Sequence, residues 1–325
     1  MSALGTAWRF ALGTFTVFPV RPVDVDRAVA GRAMSLAPFA GVLLGLAGAV
    51  VFAVAGALSG SALVGAVLAV GALAWLTRAL HLDGLADLAD GLGSGKPADE
   101  TLEVMKRSDI GPFGVVTVVI VLFVQVAALS RAGAVAWVML VTAVATGRLA
   151  VTWACREGVP AARPTGLGAL VAGTVRRGTA IAATIATAAV VALLALVATG
   201  GPAVLRASDT GASEIAVDAG GPSVGASVFG STSYSPLEQF VSPGMLQEWA
   251  VDAGMRPAGV LHRLSDDPYL IAVAGLLPAM AAGLGAAALL RRRAVRRLGG
   301  VTGDVLGAVV ETATTATLVA AVLLV

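Results

Sequence analysis

The sequence predicts an all-α, polytopic integral membrane bundle of about seven transmembrane helices, preceded by an N-terminal interfacial helix. Three observations carry that expectation. The chain is 57% hydrophobic and 13% charged, against roughly 45–50% and about 25% in soluble domains, so a soluble fold would lack the polar residues to cover its surface. A bilayer core about 30 Å thick needs about 20 apolar residues per helix. Nearly charge-free windows of that length lie at 35–58, 61–80, 111–130, 132–155, 179–199, 269–290 and 305–325. Finally, with the N-terminus inside, only Arg131, Arg206, Arg256 and Arg263 of the 22 Lys and Arg fall outside. The positive-inside rule therefore places the protein in the cell membrane with its N-terminus and polar loops cytoplasmic.

Taken in order, the start of the chain has Arg9 within an apolar stretch and no small-residue cleavage pattern, which predicts an interfacial helix rather than a secretory signal. Ser59-Gly60-Ser61 divides the first two windows. Arg78 and Arg148 sit just inside window ends, where they snorkel or pair. The Gly- and Ala-rich stretch 41–60 allows close helix contact, which suits a homo-oligomer and a monomer alike. Cys155 is the single cysteine, read as an inert core thiol.

Residues 200–268 are a different material, rich in Ser, Gly, Asp and Pro and carrying more acids than arginines. They are expected to form an extracytoplasmic insertion, partly disordered, with one short amphipathic helix over 236–253. Tyr234, Trp249 and His262 within it are given no role. The remainder, 1–199 and 269–325, is expected to form a single transmembrane catalytic domain.

The strongest chemical signal is HLDGLADLADG over 81–91. On a continuing helix Asp83, Asp87 and Asp90 fall at i, i+4 and i+7, within about 60° of one face. Three carboxylates there repel one another, and at bilayer depth each costs about 2.5–3.5 kcal/mol. A divalent cation removes both penalties. Oxygen ligands without Cys or clustered His favour Mg²⁺ or Mn²⁺ over zinc, and magnesium commonly accompanies a phosphate substrate. The alternative is a solvated acidic helix end, but Gly84, Ala86, Ala89 and Gly91 leave room for a bulky ligand. His81 reads as a helix-end hydrogen-bonding residue.

Further polar segments lie on the same predicted side. In MKRSDIGPFG over 105–114, Lys106 and Arg107 can neutralise phosphate oxygens, while Gly111 and Gly114 let backbone approach a ligand. In PAARPTGLG over 160–168, Arg163 beside a proline suits a fixed fork on phosphate. In GGVTGDVLGAVVE over 299–311, Asp304 and Glu311 share one face by their i, i+7 spacing. A glutamate inside a membrane helix is a functional candidate, or else an interhelical hydrogen bond.

Together HLDGLADLADGLG, VMKRSDIGPFG, Gly147-Arg148, ARPTGLG and GGVTGDVLGAVVE resemble the cobalamin synthase family, the adenosylcobinamide-GDP ribazoletransferases, over about 4–199 and 269–325. The resemblance implies a Mg²⁺-dependent membrane transferase that joins adenosylcobinamide-GDP to α-ribazole or its 5′-phosphate and releases GMP. It implies roles for Asp83, Asp87, Asp90, Asp304 and Glu311, which match the family motifs. Membrane lipid is the surrounding partner and no nucleic acid is expected.

The chain departs from the family pattern in three places. Val17 follows Thr16 where relatives commonly have arginine, Arg107 and Asp109 have exchanged places, and 200–268 matches nothing in the pattern. From the residues and the implied reaction together, Asp83, Asp87 and Asp90 are assigned to cation, and one of them or Asp304 to proton acceptance. Lys106, Arg107, Arg163 and Glu311 are assigned to substrate. Two other classes remain: a CDP-alcohol phosphotransferase, whose motif has Ala-Arg soon after Asp-Gly and longer aspartate spacings, and a cation-coupled transporter using intramembrane acids.

Overall fold

The computed structural model describes residues 3–21, 24–107, 109–200 and 268–325. Contacts divide the chain into Met1–Ala198 with Ala272–Val325, which forms the helical bundle, and Thr199–Ile271. The expected insertion, its amphipathic helix and Tyr234, Trp249 and His262 lie outside the described residues.

Helix α1 (Ala3–Phe15) buries Ala7, Ala11 and Phe15, one turn apart, against α2 (Arg27–Ser59). Asp26 caps α2 by accepting from the Val29 N–H at 2.7 Å, and Gly60 ends it with a φ of 66°. That left-handed C-terminal position is one glycine occupies without a steric penalty. At 33 residues α2 is about 50 Å long, more than a bilayer core requires.

The central helix is α7 (Ala136–Ala154), whose residues are almost all buried. Its approach to α2 is set by glycines. A Cβ on Gly45 would stand 2.7 Å from the Val141 Cα, and one on Gly41 2.8 Å from the Ala145 Cα. In a membrane, where lipid is as apolar as the core, this close packing is what associates helices. Around α7 stand α6 (Pro112–Arg131), α9 (Arg177–Gly200), α10 (Pro268–Leu298) and α11 (Gly303–Leu324), with the short α8 (Gly166–Val171) near one end.

Among the described residues six helices are long and apolar enough to cross a membrane, and none of these residues forms an extended strand. The expected all-α membrane bundle is therefore the observed one. The second expected window is the exception. It is broken into α3 (Ala62–Leu76) and α4 (Leu80–Gly93), bent by 88°, and counting that pair as one span gives seven. At the break Arg78 and Ala79 both have positive φ, 56° and 52°. The Thr77 hydroxyl donates back to the Leu73 carbonyl, and the Arg78 guanidinium donates to the Gly13 carbonyl at 2.8 Å. Two consecutive left-handed non-glycine residues cost about 1–2 kcal/mol each, and the contacts to α1 hold them there.

One end of the bundle gathers the polar loops. The Val17 N–H reaches the Leu76 carbonyl, Arg27 donates to the Ala169 and Ala172 carbonyls, and Arg297 to the Lys96 carbonyl. The segment after α7 pairs with the segment before α11 through Ala162 N–H to Val301 carbonyl (3.1 Å) and Val301 N–H to Pro160 carbonyl (2.9 Å). Cys155 is buried and unbonded, as an inert thiol would be.

Candidate active site

The bend after α3 sends α4 across the end of the bundle, against α11 and α6. The crossing with α11 has no room for side chains at two places. A Cβ on Gly84 would stand 2.8 Å from the Asp304 carbonyl oxygen, and one on Gly307 3.2 Å from the His81 Cα. Glycine at both positions brings Asp83 and Asp87, one turn apart on α4, beside Asp304 at the start of α11. His81 is buried at this crossing and stacks on Phe15 at 6.0 Å.

The start of α11 is itself fixed. Thr302 caps it, its hydroxyl accepting from the Val305 N–H and donating to one Asp304 carboxylate oxygen, each at 3.2 Å. The loop carrying Arg163 is laid against that cap, because a Cβ on Gly168 would meet the Val301 carbonyl at 2.6 Å and the Thr302 Cα at 2.8 Å. Gly166, with a φ of 86°, makes the turn into α8.

Between α4, this loop and the α11 cap lies a cleft of about 280 Å³, lined by Asp83, Arg163, Thr165, Gly166, Thr302 and Asp304 among others. Asp87 lies within electrostatic reach of Asp83, Asp304, Asp90 and Arg163. Arg163 donates to the Leu102 carbonyl at 2.5 Å, while its buried Nε has no partner. The cleft therefore faces acids on one wall with a guanidinium on another, and among the described residues none of these groups is joined in an ion pair. That combination suits an anionic ligand accompanied by a cation, the cation relieving repulsion among the acids and the anion meeting the guanidinium.

The expected residues divide into those the fold brings together and those it does not. Asp83, Asp87, Asp304 and Arg163 converge. Asp90 is engaged by the start of α6: its two carboxylate oxygens accept from the Gly111 N–H (2.7 Å) and the Gly114 N–H (2.9 Å). The first turn of α6 has unpaired N–H groups and no side-chain cap of its own, so Asp90 supplies the cap from α4. This corrects the reading of Gly111 and Gly114: what approaches their backbone is the Asp90 carboxylate, which a Cβ at either position would strike.

Lys106 and Arg107 are exposed and do not line the cleft. Lys106 pairs with Glu103 at 2.5 Å, and that hydrogen bond and charge hold the Glu103 carboxyl below its ordinary value. A phosphate at Lys106 would therefore have to compete with the Glu103 carboxylate.

Glu311 is separated from Asp304 by about 10 Å along α11. It lines a different, water-sized cavity of about 20 Å³ with Gln125, Arg148 and Thr314. Gln125 donates to Glu311 and to the Thr315 hydroxyl, both at 2.9 Å. Arg148, 4% exposed, lies within electrostatic reach of Glu311, and its Nε has no partner. The i, i+7 spacing rightly placed Asp304 and Glu311 on one face, but it could not show that α6 and α7 close over the deeper residue. The Thr302 cap and the Glu103 partner of Lys106 were not foreseen. A Thr-Gly-Asp sequence opening an apolar window was the available signal for the cap.

The donor set around the cleft is of the oxygen type that a hard cation would use. Among the described residues no three His, Cys, Asp or Glu side chains are close enough to form a metal cage. Mg²⁺ does not need one, since it keeps waters and takes one or two protein carboxylates plus substrate phosphates. Asp83 at the cleft and Asp87 beside it, without ion-pair partners among the described residues, fit that requirement.

Comparison with known proteins agrees with this arrangement. The family model described as CobS, cobalamin-5-phosphate synthase, matches residues 7–217 and 242–322. The match leaves out only 218–241 of the interior, so the expectation that 200–268 has no family counterpart is corrected: low-complexity flanks carry no motif to recognise by eye. A protein of Frankia casuarinae named adenosylcobinamide-GDP ribazoletransferase is 38% identical over 95% of this chain and 92% of its own length. One of the same name from a Nocardioides species is 46% identical over 59% of this chain and 83% of its own. A third, from Bradyrhizobium diazoefficiens, is 39% identical over 55% of this chain and 70% of its own. No solved structure matches. The motif blocks that resemble the cobalamin synthases are the ones the fold gathers around α4 and α11, and the chain belongs to the cobalamin-5-phosphate synthase family.

Proposed function

We propose that the protein joins adenosylcobinamide-GDP to α-ribazole, or to its 5′-phosphate, giving adenosylcobalamin or its 5′-phosphate and releasing GMP. The observation that carries this reading is the meeting of Asp83, Asp304 and Arg163 around one cleft, with Asp87 within electrostatic reach of all three, in a chain whose relatives are named for that transfer. A ribose hydroxyl of ribazole attacks the cobinamide-bearing phosphorus. The new O–P bond forms as the P–O bond to GMP breaks, and GMP takes the bridging oxygen. Such a displacement requires positioning and charge neutralisation more than covalent participation by the protein.

Asp83 and Asp87 would hold Mg²⁺, or Mn²⁺ in its place, which when bound supplies positive charge to the diphosphate oxygens. Asp304 lies across the same cleft, with one oxygen on the Thr302 hydroxyl and the other available to accept the attacking hydroxyl's proton. Arg163 binds the diphosphate and departing GMP, and its fork is pre-oriented by the bond to Leu102. Lys106 and Arg107 attract the anionic substrate from the exposed surface. Asp90 acts by holding α6 to α4, so that the walls keep their spacing. Glu311 belongs to the bundle interior rather than to substrate.

The same reading places the polar end of the bundle in the cytoplasm, in accord with the positive-inside bias. An assay of GMP release from adenosylcobinamide-GDP, with and without α-ribazole, tests the reading. Release that depends on ribazole is expected. Release that ignores ribazole, or none at all alongside CDP-alcohol transfer or cation transport, rejects it.

A further inference from the structure

We propose that the crevice between α7, α9 and α10 binds a phospholipid with an anionic headgroup, the acyl chain on its apolar walls and the phosphate on Arg291 and Arg292. The crevice has a volume of about 300 Å³ and is walled by Ala150 and Trp153 of α7 and Leu284, Ala287 and Ala288 of α10, with Arg291 at its edge. Arg291 also borders a second recess of about 430 Å³, which it shares with Arg292 and Arg296. One guanidinium thus joins an apolar space to a basic one, and an amphiphile with a negative head fits that sequence of environments.

The local charges are unbalanced. Those acting on Arg291 come from Arg156 and Arg292, both positive, and none of the three has an ion-pair partner among the described residues. An anion among them relieves their repulsion. Trp153 donates its indole N–H to the Thr184 hydroxyl at 2.9 Å, which satisfies its polar atom and leaves the ring face as a fixed apolar wall.

Depth points to lipid as the source of the phosphate. Trp153 is next to the last residue of α7, and Arg291 is about 10 Å from the end of α10 at Leu298. The crevice is therefore at the edge of the bilayer on the side of the polar loops, where basic pockets between membrane helices bind anionic headgroups. A soluble phosphate would use only the basic half. The crevice shares no lining residue with the Asp83–Arg163 cleft.

The test reconstitutes the full-length protein in nanodiscs of equimolar phosphatidylcholine and phosphatidylglycerol and counts retained lipid by native mass spectrometry. Phosphatidylglycerol is expected to be retained in preference, and Arg291→Gln and Arg292→Gln are each expected to reduce that preference roughly fivefold. Ala288→Trp fills the crevice while leaving every charge in place, and it should release the lipid. Arg293→Gln, exposed and bordering neither space, should leave retention unchanged. Equal preference in wild type and the Arg291→Gln/Arg292→Gln variant would overturn the proposal. So would a loss in Arg293→Gln as large as in Arg291→Gln, which marks a diffuse basic surface. Displacement of the lipid by glycerol phosphate, which lacks acyl chains, would also overturn it.

Discussion

Asp87→Asn lowers ribazole-dependent GMP release, measured at saturating Mg²⁺, by between about 10²- and 10³-fold while leaving the helical circular dichroism spectrum unchanged. The amide keeps the size of the side chain and removes its charge, so the loss is chemical rather than structural. Nothing in the fold depends on that carboxylate: no hydrogen bond or ion pair ties it among the described residues, in contrast to Asp90. Replacing Asp90 by Asn exchanges one carboxylate acceptor for an amide donor that faces a backbone N–H. That variant is expected to lose stability together with activity. Near-normal turnover in Asp87→Asn would remove the α4 carboxylates from the chemistry.

Glu311→Leu has the second large effect, and it falls on stability. Arg148 is buried in the bundle with Glu311 as the negative charge acting on it, and Gln125 links Glu311 to Thr315. Removing one of two opposite buried charges leaves the other uncompensated, at a cost that reaches about 3–5 kcal/mol where the two are in contact. Removing both is far cheaper, because an apolar pair of similar volume needs no solvation. Thermal unfolding of the purified protein in one detergent should therefore show a large fall for Glu311→Leu and substantial recovery in Arg148→Met/Glu311→Leu. If the double variant is no more stable than the single, Arg148 and Glu311 do not act as a pair.

Much of this architecture is legible in the chain because membrane helices are written in composition. Each apolar window except 61–80 is occupied by one long helix, since lipid leaves the backbone no other way to satisfy its N–H and C=O groups. The break in 61–80 is invisible for a definite reason. Thr77, Arg78 and Ala79 include neither glycine nor proline, and their left-handed turn is held by contacts to α1, far away in sequence. The gathering of Asp83, Asp87, Asp304 and Arg163 was half legible. Spacing put the α4 acids on one face, but only tertiary contact through Gly84 and Gly168 sets them beside the α11 cap. Asp90 shows the limit of such reasoning. At i+7 it shares the face of Asp83, and its partners, two backbone N–H groups of α6, carry no sequence signature.

Asp83 and Asp87 are proposed to hold the cation beside the cleft that Asp83 lines with Asp304 and Arg163. Electron paramagnetic resonance of Mn²⁺ bound to the full-length protein with adenosylcobinamide-GDP tests it most directly. The account predicts a bound-Mn²⁺ signal in wild type, with affinity lowered by at least about tenfold in Asp83→Asn and in Asp87→Asn. Equal Mn²⁺ affinity in wild type and Asp83→Asn/Asp87→Asn would contradict it.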